Sequence, residues 1–125
     1  MDERTPYERI GGETGVRTLV DAFYDTMDAL PEAAAIRAMH PADLQPSRDK
    51  LYEFLSGWLG GPQHYIAKHG HPRLRMRHFP FPIDEGARDA WLLCMYEALE
   101  GVPDEALRDQ LAGSFARVAD HMRNR

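Results

Sequence analysis

Apolar residues recur at intervals of three and four along most of this chain. Four segments show the pattern clearly, covering residues 16–27, 51–59, 87–98 and 107–122. Such spacing places the apolar side chains on one side of an α-helix, and no segment shows the strict alternation of a strand. The sequence therefore predicts an all-α fold with four main amphipathic helices and shorter helices between them.

Proline and glycine mark where these helices should end. Leu30-Pro31 closes the first, a short helix is expected over Glu32 to Met39, and Gly60-Gly61-Pro62 closes the next main helix. Residues 62–69 could form another short helix. Residues 70–83 contain three prolines and should be mostly loop, with one or two helical turns around Leu74 to His78.

Two further signals concern helix starts. Asp84 and Asp104 each precede a late apolar pattern and are expected to cap its helix. The glycine pair Gly11-Gly12, which comes before the first main helix, is expected to act as a flexible joint.

Bulk composition narrows the class of protein. A chain of 125 residues with 43% apolar content is predicted to be one globular domain over residues 1–125, with neither a signal peptide nor a bilayer-spanning run. The net charge of −5 disfavours nucleic acid as a partner. Cys94 is the single cysteine, so an internal disulfide is excluded and a cytoplasmic location is expected.

One stretch departs from the acidic average. Residues 64–78 contain four histidines and four cations without a single acidic side chain, which indicates either a site for an anion or a solvated basic face. Spacing typical of a structural zinc site is lacking. His78 lies between these cations and the rigid apolar run 79–83, an environment that suits a haem iron ligand. Any haem would be non-covalent, because the chain has no C-x-x-C-H sequence.

Several motifs, taken in order, resemble those of group II truncated haemoglobins. The resemblance rests on Gly70-His71-Pro72-Arg73-Leu74-Arg75-Met76-Arg77-His78, then Pro80-Phe81 and Arg88-Asp89-Ala90-Trp91-Leu92, together with Gly11-Gly12, Phe23-Tyr24, His40-Pro41, Phe54-Leu55 and Trp58-Leu59-Gly60-Gly61-Pro62. It implies a truncated globin fold, a two-over-two helical sandwich around one non-covalent haem b per chain. Oxygen, nitric oxide and carbon monoxide are the implied ligands.

The resemblance also implies roles around that haem. His78 would be the proximal iron ligand, with Tyr24 and Trp91 as distal hydrogen-bond donors. His40 would lie on the distal side, where donation of a hydrogen bond is favoured over ligation of iron or simple packing. Three residues would line the pocket, namely Ser47, Leu51 and Phe54.

The haem propionates need donors at the rim of the pocket. Lys50 precedes Leu51 on the distal helix and Tyr65 has a counterpart in the family, while Arg75 and Arg77 follow from the local charge.

Two or three distal donors would hold oxygen too firmly for a reversible carrier. This favours redox chemistry, such as nitric oxide dioxygenase or peroxidase-like activity, supplied with electrons by a separate reductase. A sensing or oxygen-binding module without turnover, and a haem-free structural protein, are the alternatives. The oligomeric state stays open, a homodimer being one option.

Overall fold

Helices dominate the computed structural model, which describes residues 3–125; Met1 and Asp2, the start of the charged N-terminal stretch, lie outside the described residues. Within that range the backbone forms helices, turns and loops but no strand. The helices are α1 (Pro6–Ile10), α2 (Gly12–Ala29), a 3-10 turn (Pro31–Ala33), α3 (Ala34–Ala38), α4 (Gln45–Trp58), α5 (His64–His69), α6 (Leu74–His78), α7 (Glu85–Leu99) and α8 (Glu105–His121). The predicted all-α class is confirmed.

The first helix was not predicted from the apolar pattern. Thr5 accepts a hydrogen bond from the Glu8 backbone N–H at 3.1 Å, and the Glu8 side chain accepts one from the Thr5 backbone N–H at 3.1 Å. This reciprocal capping box starts α1, and Gly11, with φ 108°, ends it. The glycine pair is therefore the junction of two helices rather than a loose joint.

Two helix pairs form the core. α2 packs against α4, α7 packs against α8, and α2 also lies on α7, which joins the pairs into a two-over-two arrangement. The apolar faces of these helices meet in one cluster that includes Val16, Leu19, Val20, Phe23, Met27, Leu55, Met95, Leu107 and Leu111. Removing these side chains from water is the main force that fixes the positions of the four helices.

Both predicted aspartate caps are present. The Asp84 carboxylate accepts a hydrogen bond from the Ala87 backbone N–H at 2.8 Å, and Asp104 accepts one from Leu107 at 3.0 Å. Each bond satisfies an otherwise unpaired donor in the first turn of α7 or α8.

α6 has a different setting from the main helices. It spans five residues, none of them buried, and it starts at Arg73, whose φ of 47° is unusual for a residue with a side chain. The predicted turn of helix at Leu74 to His78 is confirmed. None of the helices in residues 3–125 is both long and apolar enough to cross a bilayer.

Candidate haem site

Aromatic rings on two helices and on the segment after α3 bring the predicted distal residues together. The Phe23 ring on α2 lies 4.9 Å from the Tyr24 ring and 5.1 Å from the Trp91 ring on α7, measured between centroids. The His40 ring, just beyond α3, lies 5.8 Å from the Tyr24 ring. Tyr24, His40 and Trp91 therefore form one cluster, with Phe23 as the contact between Tyr24 and Trp91.

Burial controls the protonation of Tyr24. Desolvation raises the pKa of its hydroxyl from 10.0 to about 12, although the Arg48 guanidinium, 5.8 Å from the ring, acts in the opposite direction. The hydroxyl is therefore protonated at neutral pH. No group in residues 3–125 forms a hydrogen bond with it or with the Trp91 indole N–H, so both donors are open to a ligand.

The orientation of His40 is set by its own backbone. Its Nδ1 donates a hydrogen bond to the Ile36 carbonyl oxygen at 2.8 Å. Because a carbonyl only accepts, this bond assigns the proton of the neutral ring to Nδ1. Nε2 then carries a lone pair, so neutral His40 can accept a hydrogen bond or ligate a metal, and it can donate from Nε2 only when protonated.

The predicted residues on α4 separate into two groups. Leu51 and Phe54 are half-buried and pack against the core, and the Phe54 ring lies 6.2 Å from the Tyr65 ring on α5. Ser47 is half-buried and Lys50 is exposed. Among the described residues, neither of these two side chains forms a hydrogen bond.

The proximal candidate, His78, is also oriented by a backbone bond. Its Nδ1 donates to the Leu74 carbonyl oxygen at 2.6 Å, one turn earlier in α6. This bond leaves Nε2 with the lone pair that a metal requires and makes the imidazole a better ligand. His78 is half-buried.

Asn124 holds the segment that follows His78. Its side-chain amide donates to the Phe81 carbonyl at 2.8 Å and accepts from the Ile83 backbone N–H at 2.9 Å. The Asn124 backbone N–H donates to the Ile83 carbonyl at 2.9 Å. The end of the chain thereby fixes the loop between α6 and α7.

An open cleft of about 730 Å³ lies beside α6. Its walls combine apolar side chains, among them Phe54, Leu74 and Val118, with the cations Arg73, Arg75 and Arg117. Of the predicted propionate donors, Arg75 lines this cleft, while the Arg77 guanidinium lies 5.8 Å from the Tyr65 ring centroid. Arg75 and the pair Arg77–Tyr65 are therefore near it, and Lys50 is not shown to be.

These residues fit a haem. Their chemistry suits it, since apolar side chains can contact a porphyrin, Arg75 can meet a propionate and the oriented imidazole of His78 can serve the iron. His78, Tyr24 and Trp91 are not among the residues that line the cleft itself. No three side chains of the metal-ligating types converge anywhere in residues 3–125, so this region offers no ready set of ligands for a metal ion held by protein alone.

Sequence reasoning missed two contributors to the site, Phe23 and Asn124, and one cation of the cleft, Arg117. Phe23 was assigned only to the apolar face of α2, yet it joins Tyr24 to Trp91. Asn124 and Arg117 were not singled out, because each reaches residues about 40 positions away and no local pattern indicates such contacts.

Comparison with known proteins places the chain among globins. The family model for bacterial-like globins matches residues 5–124. The group 2 truncated haemoglobin YjbI of Bacillus subtilis is 42% identical over 120 residues, which cover 95% of this chain and 88% of that protein.

Solved structures agree with this result. The group II 2-on-2 haemoglobin of Agrobacterium tumefaciens superimposes with a TM-score of 0.95 at 50% identity, covering 99% of this chain and 97% of that one. The truncated oxygen-avid haemoglobin of Bacillus subtilis gives a TM-score of 0.88 at 42% identity, with coverage of 97% and 100%. At these identities the fold of the two-over-two globins is shared over almost the whole length.

Proposed function

We propose a redox function from the premise that this chain belongs to the bacterial-like globin family as a group II truncated haemoglobin. In this function the protein uses its haem to react oxygen with nitric oxide. Membership of the family makes it a haem protein that binds oxygen. When bound, the haem supplies a site for a diatomic ligand and an iron that can exchange single electrons. The remaining steps belong to the residues of the chain.

His78 is the proposed proximal ligand. The Leu74 carbonyl holds its ring through Nδ1, and Nε2 is the nitrogen left to bind iron. We assign the haem as non-covalent haem b, one per chain. Its propionates would be met by Arg75, Arg77 and Tyr65, with Lys50 as a further donor once the haem is in place.

Tyr24 and Trp91 are the proposed ligand donors. Their O–H and N–H would stabilise negative charge on a ligand that the haem binds. A hydrogen bond is worth about 0.5–1.5 kcal/mol net, and about 1.5–3 kcal/mol when its partner is charged. Two such donors would slow the release of oxygen by about two orders of magnitude or more. Leu51, Phe54 and Ser47 would complete the wall of this pocket.

His40 is the proposed third distal group, with its ring 5.8 Å from the Tyr24 ring. Because its Nδ1 proton is donated to the Ile36 carbonyl, neutral His40 has no second N–H to offer a ligand. This refines the expectation of donation, which would now require an imidazolium.

A protein that releases oxygen slowly is better suited to react it with nitric oxide than to transport it. Nitric oxide, oxygen and one electron balance to nitrate, so each turnover needs one electron from a separate reductase, which we place with this protein in the cytoplasm. The 42% identical haemoglobin of Bacillus subtilis, which is described as oxygen-avid, supports tight binding here. The observation that carries the proposal is the protonated hydroxyl of the buried Tyr24, left without a partner in residues 3–125 and separated from the Trp91 indole by the Phe23 ring.

The test is the oxygen dissociation rate of the reduced protein. Trp91→Phe should release oxygen about tenfold to hundredfold faster than wild type, because it keeps the ring and loses the N–H. The control is Trp58→Phe, which alters a tryptophan that packs on Phe115 at 4.9 Å. It should keep the wild-type rate.

Mixing the oxygenated protein with nitric oxide should then yield one nitrate per haem. Equally fast oxygen release by wild type and Trp91→Phe would overturn the proposed distal role. Slow release without nitrate would favour an oxygen-binding or sensing module instead.

A further inference from the structure

Several arginines that the structure describes are paired with carboxylates. Arg9, Arg37 and Arg48, for example, form ion pairs of 3.1 Å, 2.7 Å and 2.7 Å with aspartates. Arg73, Arg75 and Arg117 differ, since all three line the cleft beside α6 and none pairs with a carboxylate of residues 3–125. In a chain with a net charge of −5, this cleft is where uncompensated positive charge collects.

A haem would use only part of this charge. Its two propionates are assigned above to Arg75, Arg77 and Tyr65. Arg73, from the loop before α6, and Arg117, from α8, remain without an assigned anion, and the two histidines His71 and His121 line the same cleft. The surplus points to a second anionic partner at the mouth of the cleft.

The same surface exposes apolar side chains. Met76 and Phe79 are 59% and 63% exposed, and with Arg75 and Pro80 they line a second hollow of about 430 Å³. Arg75 and Met76 line both hollows, so the two are continuous. Exposed methionine and aromatic groups beside arginines are typical of protein interfaces. We call this surface, formed by Arg73, Arg75, Met76, Phe79, Pro80 and Arg117, the α6 face.

We propose that the α6 face is the docking site of an electron-donor protein with an acidic surface. The inference rests on the proposed function, which needs one electron per turnover. An acidic donor would be repelled by the rest of this acidic chain and attracted to this face, which lies beside the proposed iron ligand. A flat anionic bilayer fits less well, because the cations line hollows and the chain as a whole is negative.

The experiment measures reduction of the ferric holoprotein by flavodoxin hydroquinone, a small acidic one-electron donor, in stopped flow. Arg73→Glu/Arg117→Glu should be reduced about tenfold to hundredfold more slowly at low ionic strength, and the difference should shrink as salt screens the charges. Arg17→Glu/Arg37→Glu is the matched control, with the same change in net charge at two arginines whose partners are Asp49 and Asp28. It should be reduced at a rate close to that of wild type.

Three further measurements keep the outcomes distinct. Reduction by dithionite and the Soret spectrum should be unchanged in the double variant, which shows an intact haem site. Equal flavodoxin rates in the double variant and wild type would overturn the proposal. A second result would also overturn it. If wild type cosediments with phosphatidylglycerol vesicles, and the double variant does not but is still reduced by flavodoxin at the wild-type rate, the face binds lipid. Absence of nitrate with normal flavodoxin reduction would contradict the proposed function and leave the docking site standing.

Discussion

The distal and proximal sides of the proposed haem site are built in different ways. On the distal side, Tyr24 and its neighbour Phe23 are buried in α2, and Phe23 packs against both Tyr24 and Trp91 of α7. On the proximal side, α6 has no buried residue, the His78 ring is held by the Leu74 carbonyl, and two bonds from the Asn124 side chain hold the loop that follows. Apolar packing therefore positions the distal donors, whereas hydrogen bonds position the proximal ligand.

This difference has a physical consequence. Close-packed side chains have few alternative arrangements, so the distal donors should keep their geometry with or without haem. A short exposed helix gains little from burial and can open locally at small cost. We expect haem binding to stabilise the proximal side much more than the distal side.

The largest effect is expected at His78. His78→Gly removes the only imidazole that we assign to the proximal iron, so the purified protein should lack haem or show a shifted Soret band, and added imidazole should restore the wild-type spectrum. His64→Gly, in the same basic stretch, should keep haem. An unchanged Soret band in His78→Gly would show that the proximal side lies elsewhere.

The next effect concerns the buried distal side at high pH. The pKa of Tyr24 is raised by burial from 10.0 to about 12 in the folded chain. Because the unfolded chain loses this proton first, the stabilisation is complete below about pH 10 and is lost as pH rises toward 12. Urea unfolding should show that wild type loses about 2 kcal/mol more than Tyr24→Phe over this range.

The control for this experiment is Tyr96→Phe, at a tyrosine that is 39% exposed. Its loss of stability should match that of wild type. Parallel losses in wild type and Tyr24→Phe would mean that the distal hydroxyl is not buried as described.

The smallest effect is expected at Asn124. Asn124→Ala removes both side-chain bonds to the loop after His78, each worth about 1 kcal/mol, so haem transfer to apomyoglobin should become severalfold faster. Asn124→Asp retains the acceptor for Ile83, so its rate of haem transfer should fall between those of wild type and Asn124→Ala. The oxygen dissociation rate should stay at the wild-type value, and a change in it would contradict the independence of the two sides.

Much of the fold could be read from local signals. The main helices and the aspartate caps at Asp84 and Asp104 depend on residues within a few positions of one another, and the structure confirms them. α1 was missed, although Thr5-Pro6-Tyr7-Glu8 carries a capping-box pattern, because it is too short to show apolar periodicity. The site residues came from the family resemblance, and their roles stay predictions.

The sequence could not predict contacts between distant parts of the chain. Arg117 lines the same cleft as Arg73 although 44 positions separate them, and Asn124 bonds to a loop 43 positions earlier. The Nδ1 proton of His40 was likewise beyond the sequence, since its assignment depends on a carbonyl within 2.8 Å.

By itself, the sequence determined that the chain is helical and where the main helices end, because apolar spacing, proline and capping act over one or two helical turns. The tertiary structure alone decided which rings meet around Tyr24, which arginines lack a carboxylate, and what holds the loop after His78. These depend on how α2, α6, α7 and α8 pack, and the packing minimises exposed apolar area over the whole chain rather than within any one segment.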